Sequence, residues 1–179
     1  MLHLPISSLE LKLTYLIADR WSHPKLDKFM ITVSNPYKWL LPTLIIAFFL
    51  IYLDWESGIR AILLGGFGAG IADGLNARFI KRNTDRIRPG KQYSDIRSLG
   101  SMNRGKKSFP SNHASNTMAF ALGIGLVFPW SLWFLVALSL LVGYSRIYCG
   151  AHFPLDVLGG WLHGIFWVSL IYSLSLFAL

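Results

Sequence analysis

Five stretches of this chain are apolar for long enough to cross a lipid bilayer, and they constrain the fold more than anything else in it. They run from Tyr37 to Leu53, Ile59 to Ile80, Ser111 to Phe128, Leu132 to Arg146 and Pro154 to Leu179. Hydrocarbon offers no water to backbone N–H and C=O groups, so each stretch reads as a helix that satisfies its own backbone. The expected fold is all-α, an integral membrane helical bundle of about five transmembrane helices. A chain of 179 residues suits one domain, and 53% hydrophobic against 15% charged residues is too apolar for an ordinary soluble one.

The flanking stretches follow from that frame. Ser8 to Val33 mixes leucines with Glu10, Lys12, Asp19 and Arg20, too many charges for a span, and predicts an interfacial helix broken at Trp21-Ser22-His23-Pro24. Residues 1–36 are thus expected to be an N-terminal interfacial segment, with His3 and His23 at the interface and no cleavable signal peptide in Met1–Ser8. Trp39 and Trp55 stand as interfacial anchors at the two ends of the first span. Gly65, Gly66, Gly68 and Gly70 permit close helix approach on the second. Asp73 and Asn76, on that same span, read as buried structural hydrogen-bonding groups, with a role in the site as the alternative. Lys81 to about Pro110 is polar and basic, a loop over the membrane surface with a turn at Pro89-Gly90. Pro129-Trp130-Ser131 is so short that the third and fourth spans must be antiparallel neighbours.

With five spans, the ends of the second and fourth and the starts of the third and fifth lie on one face, and the unusual polar residues gather there. Ser145 to Asp156 interrupts an apolar tract with Arg146, His152 and Asp156, groups that lipid would reject without a use for them. Pro154 fits a first helical turn, so His152 lies just before the helix and Asp156 inside that turn. The carboxylate can then accept from one imidazole nitrogen and aim the other outward as a nucleophile. Arg146 is a nearby cation for an oxyanion. In Lys81-Arg82-Asn83-Thr84-Asp85-Arg86-Ile87-Arg88-Pro89, Lys81 and Arg88 can converge on one phosphate. In Phe109-Pro110-Ser111-Asn112-His113-Ala114, Ser111 is a natural N-cap, the free N–H groups after it suit an anion, and His113 can give a proton to a leaving oxygen.

Together these read K-x6-R-P, P-S-x-H and S-R-x5-H-x3-D, in that order. The pattern resembles the type 2 phosphatidic acid phosphatase superfamily of lipid phosphatases and vanadium haloperoxidases. The resemblance implies that His152 attacks phosphorus, His113 protonates the departing oxygen, Asp156 orients His152, and water hydrolyses the phosphohistidine. It implies further that Lys81, Arg88, Arg146, Ser111 and the backbone at Asn112 bind the phosphoryl oxygens, with no metal or other cofactor. Position 112 departs from the family, which most often has glycine there; a tighter or more polar phosphate pocket is expected.

The net charge of +8 lacks the motifs of a nucleic-acid binder, so the expected partners are a phosphorylated lipid substrate and membrane lipids. The lone Cys149 excludes an intramolecular disulfide. Nearly all lysines and arginines fall on the catalytic face, which the positive-inside rule would make cytoplasmic. Small bacterial lipid phosphatases resembled by the chain work on the outer side of the cytoplasmic membrane, and a periplasmic site is expected on that ground. A general likeness to bacterial lipid A 1-phosphatases favours lipid A 1-phosphate, with undecaprenyl diphosphate and phosphatidylglycerol phosphate close behind. Lys91, Arg97, Arg104, Lys106 and Lys107 are available for a large anionic head group, or form a solvated charge run. His163 is expected to be packed and hydrogen-bonded, with contact to the site or pairing to Asp73 as the alternative. Vanadate-dependent halide oxidation, and a lipid-binding or transport protein, are the competing readings.

Overall fold

The computed structural model describes residues 3–100 and 105–177. Helix α1 (Ser8–Tyr15) starts where the Ser7 hydroxyl accepts the Glu10 N–H at 3.1 Å, and it runs into a π-helical turn at Leu16–Arg20. The break comes at the expected place. His23 then caps α2 (Pro24–Val33), its Nδ1 accepting the Lys25 N–H at 3.2 Å. A 3-10 turn at Pro36–Trp39 leads into α3 (Leu40–Leu53), and the Asp54 carboxylate caps α4 (Trp55–Leu75) by accepting the Ser57 N–H at 2.7 Å. A π-helical turn at Asn76–Ile80 and a single turn, α5 (Lys81–Asn83), end that rod. The basic loop carries one further turn, α6 (Pro89–Gln92). Then come α7 (Asn112–Val127), a 3-10 turn at Pro129–Ser131, α8 (Leu132–Tyr148) and α9 (Pro154–Phe177).

Among the described residues, four helical segments are long and apolar enough to cross a membrane: Pro36–Leu53, Trp55–Asn83, Pro129–Tyr148 and Pro154–Phe177. The remaining expected span is α7. At 16 residues it is about 24 Å long, short of a hydrocarbon core about 30 Å thick. It is also the most enclosed helix, packed against α4, α8 and α9. A helix walled by protein has no need to match lipid thickness.

Missing side chains set these contacts. A Cβ on Gly123 of α7 would lie 2.4 Å from the Gly65 backbone of α4, and one on Gly160 of α9 would lie 2.5 Å from the Ser111 carbonyl. Gly65 and Gly68 therefore serve the close approach expected of them, whereas Gly66 and Gly70 face open space. α3 packs on α4 and turns Leu41, Ile45, Phe48 and Tyr52 outward, the face of a helix solvated by lipid.

The N-terminal segment is more than interfacial. Glu10, Thr14 and Ala18 are buried, one helical face seated on the rest of the fold. Arg97 donates to the Asp27 carboxylate and, at 3.2 Å, to the Ala18 carbonyl, while the Tyr148 hydroxyl donates to Asp27 at 2.6 Å. Burial opposes charge on Asp27, but the bonds from Tyr148 and Arg97 outweigh it and hold its carboxyl below the usual 3.8. Arg97, considered above for a lipid head group, is thereby committed to clamping loop, α2 and α8. Lys107 likewise donates to the Thr84 carbonyl, and Arg104 lies outside the described residues.

Candidate active site

The site is assembled from chain ends that meet on one face. Ile87 bridges Lys107 in antiparallel fashion, and the Arg88 N–H donates to the Lys106 carbonyl at 3.1 Å, so these two segments of the basic loop are clipped together side by side. The Gly90 N–H donates to the Gly150 carbonyl at 3.0 Å, tying that clip to the turn before α9. Gly150 has φ 65°, and a Cβ there would sit 1.9 Å from the Arg97 carbonyl, so glycine is required on both counts. The Ser111 N–H donates to the Asp156 carbonyl at 2.9 Å, joining the start of α7 to the start of α9.

These connections enclose a cavity of about 740 Å³ lined by Lys81, Arg88, Asn112, His113 and His152, together with Asp73, Asn116 and an apolar set from α2, α3 and α7. Three expected site residues stand behind it. Ser111 is buried, and its hydroxyl caps α7 by accepting the Ala114 N–H at 3.4 Å. Arg146 is buried and donates to the Ser34 hydroxyl and, at 3.3 Å, to the Ser34 carbonyl. Asp156 is fully buried at the start of α9.

The geometry at His152 fixes its chemistry. Arg88 Nη1 lies 3.4 Å from His152 Nε2 and also donates to the Ala151 carbonyl at 3.3 Å. A guanidinium can only donate, so Nε2 presents a lone pair and the ring proton sits on Nδ1. Nδ1 has no hydrogen-bond partner; the nearest carboxylate oxygen, Asp156 Oδ2, is 3.6 Å away. The expected His152–Asp156 hydrogen bond is therefore only approached, because Oδ2 accepts the Phe153 N–H at 2.8 Å instead. That is a helix-capping contact, and the positive end of the α9 dipole favours the negative carboxylate. Burial first, then the charges of Arg88, Arg146, Lys81 and His113, hold the His152 pKa well below its usual 6.5, so the ring is neutral near pH 7. Burial also lowers the pKa of Arg88, against the pull of Asp156.

Two functional neighbours escaped the sequence reading. Arg86 Nη1 lies 3.3 Å from Asp156 Oδ1, its Nη2 pairs with Glu10, and its guanidinium stacks 5.0 Å from the Phe153 ring centroid. Glu10 also accepts the Leu155 N–H at 3.1 Å. Arg86 stands two positions before Arg88, so in an extended clip both point to the same side, a period-two cue present in the sequence. Nothing local pointed to Glu10. Of the residues left open, Asp73 accepts from Asn112 and Asn116, and His163 accepts from Trp167 Nε1 at 3.2 Å. Asn76 is fully buried, but neither amide atom makes the hydrogen bond expected of it. His3 pairs with Asp85, and His23 caps α2.

Comparisons with known proteins give the chain its family. The chain is 30% identical to the lipid A 4'-phosphatase of Porphyromonas gingivalis over 92% of its own length and 72% of that protein's. It is 29% identical to the lipid A 1-phosphatase of Rhizobium johnstonii over 79% of its length, and there it spans only 64% of the relative. The crystal structure of Aquifex aeolicus LpxE superposes with a TM-score of 0.72 at 28% identity, covering 96% of this chain and 99% of that one. The PAP2 superfamily model matches residues 59–178, a range that holds every residue lining the cationic end of the cavity from Lys81 to His152, and the chain belongs to that superfamily.

Proposed function

We propose that this chain, a lipid phosphatase of the PAP2 superfamily, hydrolyses a phosphate from a lipid head group through a phosphohistidine on His152, without a metal ion. The observation that carries the reading is His152 Nε2, held 3.4 Å from Arg88 Nη1 in a cavity shared with Lys81 and His113. A neutral imidazole there is a competent nucleophile. Nε2 attacks phosphorus as the bond to the lipid oxygen breaks, and His113, whose Nε2 has no partner, gives that oxygen a proton. Water then attacks phosphorus, His113 takes the water proton, and His152 is released with inorganic phosphate.

Lys81 and Arg88 bind the equatorial oxygens, where phosphoryl transfer gathers negative charge. Arg146 adds positive charge from behind the cavity wall. Ser111 acts as the cap that presents the first N–H groups of α7, at Asn112 and His113, to the anion. Asp156 orients His152 through Nδ1–H as the site closes on substrate.

An apolar recess of about 130 Å³, lined by residues such as Thr43, Ile46, Phe120, Ile124 and Leu138, shares Trp39, Thr43, Thr117, Phe120 and Val142 with the cavity. It supports a substrate whose phosphate reaches His152 while its chains stay among α3, α7 and α8. The substrate we favour is lipid A 1-phosphate, with undecaprenyl diphosphate or phosphatidylglycerol phosphate as alternatives; among the relatives two are named lipid A 1-phosphatase and two lipid A 4'-phosphatase. We place the protein in a bacterial cytoplasmic membrane with its site facing the periplasm.

The test is phosphate release by purified protein in detergent, with chelator present, across lipid A, undecaprenyl diphosphate and glycerophospholipid phosphates. Release from at least one lipid, abolished by His152→Ala, is expected. Full activity in that variant, or silence across the whole panel, would overturn the proposal and favour a lipid-binding protein.

A further inference from the structure

Beside the cations, the cavity carries a group of hydrogen-bond acceptors with no assigned use. Asp73 Oδ1 on α4 accepts an amide N–H from Asn112 and, at 3.3 Å, from Asn116, both on α7. A carboxylate only accepts, so both amide NH2 groups must face it and both amide oxygens must point away. Those two oxygens are buried and have no hydrogen-bond partner, and all three residues line the cavity. Buried acceptors without partners are uncommon unless something else satisfies them.

Their position relates them to one side of the reaction. Asn112 is the neighbour of His113, and Asn116 lies three residues after it, on the same helical face. The group bonded to the oxygen that His113 protonates lies in the cavity these two amides line, which the apolar recess adjoins. A donor on the carbon adjacent to the phosphorylated carbon is the polar group such a lipid carries nearest to that oxygen.

We infer that Asp73, Asn112 and Asn116 form a subsite for a hydroxyl or amide N–H carried on the carbon adjacent to the phosphorylated one, and that they select lipid phosphates bearing such a donor. This rests on the phosphatase reading, with His113 as leaving-group acid. A monoacylated glycerol phosphate with a free hydroxyl carries the donor, as does an amino-sugar phosphate with an acylated nitrogen. A fully esterified glycerol phosphate and a polyprenyl phosphate do not. Asn112, the position where the family usually has glycine, thus acquires a use that glycine could not serve.

The decisive comparison uses the full chain in detergent and two probes, a 1-acyl-glycerol 3-phosphate and the same lipid with its 2-hydroxyl replaced by hydrogen. The unmodified protein should prefer the hydroxyl-bearing probe in kcat/KM by about tenfold or more, since a site built to bond a hydroxyl is left with unpaired acceptors by the analogue. Asp73→Leu and Asn116→Leu should each bring that ratio toward one. A ratio near one in the unmodified protein, or an undiminished ratio in folded variants, overturns the subsite. Should the variants not fold, the ratio in the unmodified protein decides alone. Equal release from both probes sinks the subsite and spares the phosphatase reading, and release from neither, with a lipid of the wider panel still hydrolysed, likewise overturns the subsite alone.

Discussion

Arg86 joins two buried carboxylates, Glu10 on α1 and Asp156 on α9, and its own side chain is 2% exposed. Removing one member of such a set leaves charges unpaired in a dry interior. Arg86→Ala is therefore expected to cost about 3–5 kcal/mol, read as a lowered thermal midpoint in detergent. The double variant Glu10→Leu with Arg86→Met should lose less than Arg86→Ala alone, because it removes an opposing pair together; an equal or greater loss would contradict the coupling. His152 sets a second expectation. Above its usual pKa of 6.5 the ring is neutral in folded and unfolded chains alike, so it adds no pH dependence to stability. Below that value the unfolded chain takes up a proton that the folded one refuses. Stability then falls with falling pH, by up to about 1.4 kcal/mol per pH unit, until the depressed folded pKa is reached. The His152 ring meanwhile stays neutral in the folded protein, so, with His152 as the proposed nucleophile, kcat/KM at pH 6 should hold once the titration of the lipid phosphate is corrected for. A half-loss centred on 6.5 from this residue would contradict the burial account.

At the scale of elements, the bundle depends on places where a side chain is missing. Gly123→Ala would drive a methyl into the Gly65 backbone, and a loss of about 1–3 kcal/mol is expected. Gly66→Ala, facing open space, should change little; similar losses from both would show that crowding at the α4–α7 crossing is not the cause. Gly65 and Gly66 looked alike in sequence, because a small residue shows only that approach is possible, not which neighbour arrives. The same limit explains α7. Its hydropathy announced a helix, but its short length reflects enclosure by three other helices, which depends on packing rather than on local pattern. Motif residues were easier to find. Lys81, Arg88, His113 and His152 carry charge or reactive nitrogen beside apolar tracts, and their spacing survives in the linear chain. Glu10 meets Arg86 across 76 positions, and nothing in an amphipathic N-terminal helix distinguishes it from a solvated glutamate.

For the whole molecule, orientation is the property on which charge counting and family likeness disagree. Structural use of the cations resolves part of that conflict: Arg86, Arg88, Arg97, Lys107 and Arg146 all hold internal contacts, so fewer remain to act as topological signals. Cysteines placed at exposed Lys106 and Glu56, on opposite ends of the bundle, should separate the two orientations. In intact spheroplasts a membrane-impermeant maleimide is expected to label Lys106→Cys and spare Glu56→Cys, with the reverse pattern placing the site in the cytoplasm. Phosphoryl transfer to His152 itself is read out by rapid acid-free quenching of the enzyme with a phosphorus-labelled lipid phosphate in the presence of chelator. A base-stable, acid-labile phosphoenzyme mapping to His152 and decaying as inorganic phosphate forms is expected; label on any other residue, or turnover without a phosphoenzyme under conditions that trap one, would contradict a His152 nucleophile.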